Sequence, residues 1–113
     1  MVRTEKFIIS HKGNRIVLVK LVEIYENRKF SDRNFLLREV FINPEQVVYI
    51  REEEGYKTLL KEGLLPDGLA NFQEFSRICM NQGQAHGSDI IVIGEVSSVE
   101  KKLRVKQKQI LKG

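Results

Sequence analysis

The sequence predicts a small α+β domain. An antiparallel sheet or partly open barrel of five to six strands, arranged as three hairpins, is followed by a basic C-terminal helix. Three observations predict it. Short β-branched and aromatic runs alternate with turn-forming links. The strongest of these runs, IIVIGEV from Ile90 to Val96, passes directly into a serine-led helix start. The segment after it, Lys101 to Gly113, carries six Lys or Arg and no acid. A chain of 113 residues has room for one core. The expected organisation is a single domain over 1–113, with a β-rich body at 1–96, a leucine-rich insertion at 55–71 inside it, and a helix at 97–111.

The first hairpin is KFIIS (Lys6 to Ser10) and RIVLVKLVEIY (Arg15 to Tyr25), separated by HKGN, whose Gly13-Asn14 pair suits a tight turn with positive φ. The second arm is apolar on both faces: Ile16, Leu18, Val22 and Ile24 alternate with Val17, Val19, Leu21 and Tyr25. A strand of this kind needs cover on two sides. After the polar link ENRKFSDRN, FLLREVFI (Phe35 to Ile42) and VVYIREEE (Val47 to Glu54) flank NPEQ, where Pro44 interrupts any ladder and favours a turn. This predicts a second hairpin. GYKTLLKEGLLPDGLAN (Gly55 to Asn71) reads as a short helix plus loop or as a further short strand, YKTLL, plus loop. EFSRICMN is expected to be a strand from Phe75 to Met80, because the turn-forming QGQAHGSD leads from it to IIVIGEV as a third hairpin. Ser97 and Glu100 match the capping box, so a helix is expected from about Ser98 to about Leu111, with Val99, Leu103 and Ile110 in its apolar stripe. One helix is too little cover for a sheet apolar on both faces, which points to an oligomer.

Charge divides the chain unevenly. Residues 1–100 hold 13 basic and 15 acidic groups, whereas 101–113 is +6. The pI of about 9.3 therefore belongs to the tail. Lys101, Lys102, Arg104, Lys106 and Lys108 are the candidate phosphate contacts, with an affinity that falls steeply in salt. Lysine dominates, so bidentate base readout is not expected. The region 51–100 is formally −5, and a basic tail from a second copy is its natural electrostatic counterpart. The insertion supplies Leu59, Leu60, Leu64, Leu65 and Leu69, which either fold back over an open sheet end or dock on a partner.

Other chemistry is sparse. Cys79 is the only cysteine, so no internal disulfide forms and a reducing, cytoplasmic setting is expected. No apolar run approaches the roughly 20 residues of a membrane span, and the start MVRTEKFIIS has no signal-peptide pattern. Cys79 and His86 are the nearest nucleophile and imidazole in sequence, but Cys79 sits between Ile78 and Met80 as buried structural thiols do. His86, Asp89, Cys79 and the distant His11 have no familiar metal-ligand spacing. The loop NQGQAHGSD offers Asn81, Gln84, His86 and Ser88 to a small polar ligand or nucleotide, and is equally an ordinary polar turn. No catalytic residue, cofactor or metal is expected.

VFINPEQVVYI, followed by a strand, a Gly-containing turn, a second strand and GEVSSVEKKL, resembles the small FlbD-type proteins encoded with bacterial flagellar genes. The match falls in two blocks either side of the insertion at 55–71 and implies a non-enzymatic accessory role. INPEQVVYIREEEGYKTLLKEG is also similar to the opening of LytTR DNA-binding domains, which implies DNA contact through loops and basic residues. Neither family supplies a catalytic residue. The function expected is a non-enzymatic bacterial or phage-like accessory module that self-associates as a homo-oligomer or docks on another protein. A nucleic-acid-binding regulator using the tail is the alternative, and ligand binding at the 81–89 loop a third. No membrane partner is expected.

Overall fold

The computed structural model describes residues 6–11, 14–27, 34–81 and 88–112, with side chains over 17–27, 34–81 and 89–104. The elements are β1 (Lys6–His11), β2 (Asn14–Asn27), β3 (Asn34–Ile42), β4 (Val47–Glu52), α1 (Gly55–Lys61), β5 (Phe75–Met80), β6 (Ser88–Ile93) and α2 (Val96–Lys112). A 3-10 turn at Pro44–Gln46 separates β3 from β4. The protein is α+β, with an open antiparallel sheet of six strands.

β2 organises the sheet because its β-branched run sustains 14 residues of strand. At about 3.3 Å per residue its length is close to the longest dimension of the molecule, 47 Å. Val19 pairs with Lys6 on one side and Ile42 on the other, and Glu23 pairs with both Arg38 and Val92. Thus β1 and β6 lie end to end along one edge of β2, while β3 runs along the other. β5 then pairs with β6, and β4 with β5.

The β1–β2 hairpin forms with His11 opposite Asn14. Asn14 is thus the first residue of β2, and Lys12 and Gly13 lie outside the described residues. β5 has the expected bounds, Phe75–Met80, and forms a hairpin with β6 in which Met80 faces Ser88.

The expected second hairpin does not form. β3 pairs antiparallel with β2, from Val19↔Ile42 to Asn27↔Asn34. NPEQ instead carries the chain across the sheet. The Asn43 side chain accepts from the Glu45 N–H at 3.0 Å and Pro44 opens a 3-10 turn. The Asn81 N–H then ties the turn to the end of β5 by donating to the Gln46 carbonyl at 2.7 Å. β3 and β4 stand at opposite ends of the strand order, yet only Asn43 and this turn join them. The sheet must curl for so short a link to reach.

Curling gives the sheet an inner and an outer face. Val19, Leu21, Ile42, Ile78 and Val92 line the inner face, closed by Val99 and Leu103 of α2. Ile24, Phe35, Phe75 and Ile91 form the outer cluster, over which Leu65 packs with Tyr56, Leu59, Leu60 and Leu69. Consecutive residues Ile91 and Val92 serve opposite cores, which is why these strands read as continuously apolar. YKTLL is helical, within α1, and the Tyr56 ring lies 5.7 Å from Phe35 and 5.8 Å from Phe75. Cover for the second face therefore comes from the same chain, at one end of the sheet. The shortage of cover that pointed to an oligomer is smaller than the sequence implied.

α2 also begins earlier than expected. The Val99 N–H donates to the Glu95 carbonyl at 3.0 Å, so the helix starts at Val96 rather than after Ser97. The capping box is absent: the Ser97 hydroxyl donates to the Glu95 carboxylate at 2.6 Å, and Glu100 pairs with Arg104 at 3.2 Å. Gly94 sets the start. Its φ of 130° ends β6, and a Cβ there would stand 3.2 Å from Val99 Cγ2. The buried Ser76 hydroxyl donates to the Gly94 carbonyl at 2.8 Å, anchoring the junction to β5.

Candidate interaction surfaces

Most of the leucine-rich insertion is consumed inside the fold. Leu65 is 8% exposed, and Leu59, Leu60 and Leu69 pack with it on the outer cluster. Gly63 and Gly68, with φ of 73° and 96°, supply the reversals that return the segment to the sheet, a conformation glycine adopts without strain. Leu64 remains, 49% exposed. Of the two roles open to this segment, folding back is the one observed for four of its five leucines.

A different apolar surface lies on the outer face of β2 and β3, beyond the reach of the insertion. Val22, Leu37 and Phe41 are 37%, 38% and 44% exposed. Register makes them contiguous: Val22 is opposite Glu39, which alternates between Leu37 and Phe41 on the same face, while Lys20 is opposite Phe41. Lys20 forms an ion pair with Glu39. Sequence reading missed this patch because each residue looks like ordinary strand core; only the cross-strand register assembles it. Among the described residues β3 pairs with β2 alone, so its outer edge adjoins the patch. β4 borders the other opening of the sheet, and there the ladder slips between Val47 and Tyr49. Bulges of this kind spoil an edge for further pairing; β3 is regular over nine residues.

A second group that the sequence did not reveal crosses β4, β5 and β6, where Tyr49, Cys79 and Asp89 share one row. Arg77 lies beside it, donating to Glu53 at 2.7 Å and to Asp89 at 3.2 Å. Partial burial raises the Cys79 thiol above its ordinary pKa, and its hydrogen bond to Asp89 raises it further. That thiol bond, joined by Arg77, holds the Asp89 carboxyl below its ordinary value. A raised thiol pKa is the opposite of what a nucleophilic cysteine needs. His86, its candidate partner, lies outside the described residues, as does Gln84. Of the other ligand-loop candidates, Asn81 holds the 3-10 turn through its backbone, and Ser88 opens β6. Among the described residues no group of three or more His, Cys, Asp or Glu is arranged to hold a metal.

The basic residues lie along α2. Lys101 is exposed, Lys102 is half-buried, and Arg104 is exposed and engaged by Glu100. Lys106 and Lys108 follow on the same helix. Two clefts adjoin α2. One, of about 160 Å³, is lined by Pro44, Val47, Ile50, Glu100, Leu103 and Arg104. The other, of about 230 Å³, lies among Glu52, Glu74, Glu95, Val96 and Ser97 at the start of the helix. Lys57 reaches Glu74 at 2.6 Å and Glu52 at 3.7 Å. Both clefts are below the roughly 300–1,000 Å³ typical of small-molecule pockets. No helix among the described residues is long and apolar enough to cross a membrane. Comparison with protein-family models, with curated proteins and with solved structures returned no match.

Proposed function

We propose that this protein is a non-enzymatic binding module that acts by self-association, with β3 of one copy pairing antiparallel to β3 of a second. The observation that carries this reading is the regular nine-residue edge of β3 beside the exposed patch of Val22, Leu37 and Phe41. Unpaired edges of this kind recruit strands.

The sequence of β3 is self-complementary in the register centred on Glu39. Pairing centred on Glu39 sets Leu37 of each copy opposite Phe41 of the other, and apolar cross-strand pairs stabilise a sheet. Centring on Arg38 sets Leu37 against Glu39. Centring on Val40 sets Phe41 against Glu39. In the favoured register the two Glu39 carboxylates meet, each accompanied by Lys20 of its own chain. A two-fold contact of this type is the commonest form of self-association. An accessory role without catalysis is also what the FlbD-type resemblance implies.

Sedimentation velocity over rising concentration tests the reading, using the wild type, Leu37→Lys and, as a surface control, Val48→Lys on the bulged edge. A dimer in the wild type and control, with a monomer for Leu37→Lys, is the expected outcome. A wild type that stays monomeric throughout, or a Leu37→Lys variant that dimerises like the control, contradicts it.

A further inference from the structure

We propose that the distal part of α2 is a nucleic-acid arm that grips the phosphodiester backbone without reading sequence. This goes beyond the self-association reading and stands independently of it.

Helix α2 is 17 residues long, about 25 Å at 1.5 Å per residue. Val99 and Leu103 are its residues buried in the inner core. The next positions of that stripe, three and four residues after Leu103, are Lys106 and Gln107. Lys106 and Gln107 therefore interrupt the apolar stripe, which resumes only at Ile110, while helical backbone continues to Lys112. Six cations and no acid occupy Lys101 to Lys112. Lys101, Arg104, Lys108 and Lys112 recur at i, i+3, i+7 and i+11, positions whose backbone lies about 4.5–6 Å apart along the helix axis.

The opposite end of the same helix is acidic. Glu52, Glu74 and Glu95 surround its first turn. A polyanion is repelled there and attracted at the distal end, so contact is confined to the arm. Glu100 is paired with Arg104 at the start of the arm; the pair is exposed on both sides, and such pairs yield readily to a phosphate.

The chemistry favours nucleic acid over lipid. From Val96 to Lys112 there is no Trp, Tyr or Phe to anchor an interfacial helix. The same lack removes base stacking, and a single arginine leaves little capacity for bidentate base contacts. Lysine charges on phosphates remain, which bind any sequence.

Fluorescence anisotropy with labelled single- and double-stranded oligonucleotides, at low and moderate salt, tests the arm in the full chain. Binding is expected to weaken with salt by about 0.9 log units per log unit of salt for each phosphate engaged, with two to five engaged. The triple variant Lys101→Gln/Lys106→Gln/Lys108→Gln loses at least about tenfold in affinity at low salt. Glu100→Gln binds more tightly than wild type, and Lys61→Gln on α1 binds as wild type does. The proposal is overturned by no anisotropy change at low salt or by a triple variant that binds normally. Tighter binding to phosphatidylserine vesicles than to either oligonucleotide also overturns it.

Discussion

Leu64 and Leu65 are chain neighbours with opposite fates: Leu65 closes the outer core at 8% exposure, while Leu64 stands 49% exposed beside it. A hydrophobic residue cut back inside a packed cluster costs both its transfer energy and the cavity it leaves. One on the surface costs little.

Leu65→Ala is therefore expected to destabilise the protein by about 2–4 kcal/mol and Leu64→Ala by less than about 0.5 kcal/mol. Urea unfolding of both variants at equal concentration checks this. Equal losses would mean that the insertion does not pack as described. The same contrast makes Leu64, and not Leu65, the residue to change when the insertion's role in docking is probed, because Leu65 variants confound docking with folding.

Asp89 predicts an acid limb of stability. Its carboxyl is held below the ordinary value by the Cys79 thiol and by Arg77. Folding therefore favours the ionised form. The stability it contributes is complete above the ordinary carboxylate pKa of about 4 and is lost as the pH falls through the depressed value. Asp89→Asn should be less stable than wild type at neutral pH, with the gap narrowing in that acid window. Urea midpoints across the acid range measure it, and a gap independent of pH would show that Asp89 stays uncoupled from folding.

Cys79 predicts slow thiol chemistry. Partial burial and the Asp89 carboxylate both raise its pKa, so little thiolate is present at neutral pH. Alkylation by iodoacetamide in the native protein should run slower than in the unfolded chain, and Asp89→Asn should accelerate it. Faster reaction in the folded protein would reverse this assignment and return a nucleophilic role to Cys79.

The strands were legible in the sequence because β-branched runs specify local conformation. Phe75–Met80 is strand over the expected bounds, and β2 extends the expected strand to 14 residues. Pairing was less legible. Asn43 and Pro44 announce a turn, but a turn does not say which strand comes to lie beside which, and here it crosses the sheet instead of closing a hairpin. The start of α2 was misplaced for a similar reason: Ser97 and Glu100 have capping-box spacing, yet the left-handed Gly94 and its contact with Val99 decide where the helix begins. The exposed patch on β2 and β3 and the Tyr49–Cys79–Asp89 row depend on register. Leu37 and Phe41 gain significance from Val22 across the strand pair, and Tyr49, Cys79 and Asp89 come from three distant stretches of chain. The basic character of α2, being composition, was evident from the start.

The pairing of β3 with β3 is tested most directly by a disulfide placed on its two-fold axis. In the register centred on Glu39, the two residues at that position face each other across antiparallel strands, with Cα atoms about 4.5–5.5 Å apart, inside the range a disulfide spans. Glu39→Cys in a Cys79→Ser background, oxidised at low concentration, should yield a non-reducing species of twice the 13.1 kDa chain mass. Val48→Cys in the same background should not. Absence of that species from Glu39→Cys, or its appearance to the same extent from Val48→Cys, would contradict self-association through β3.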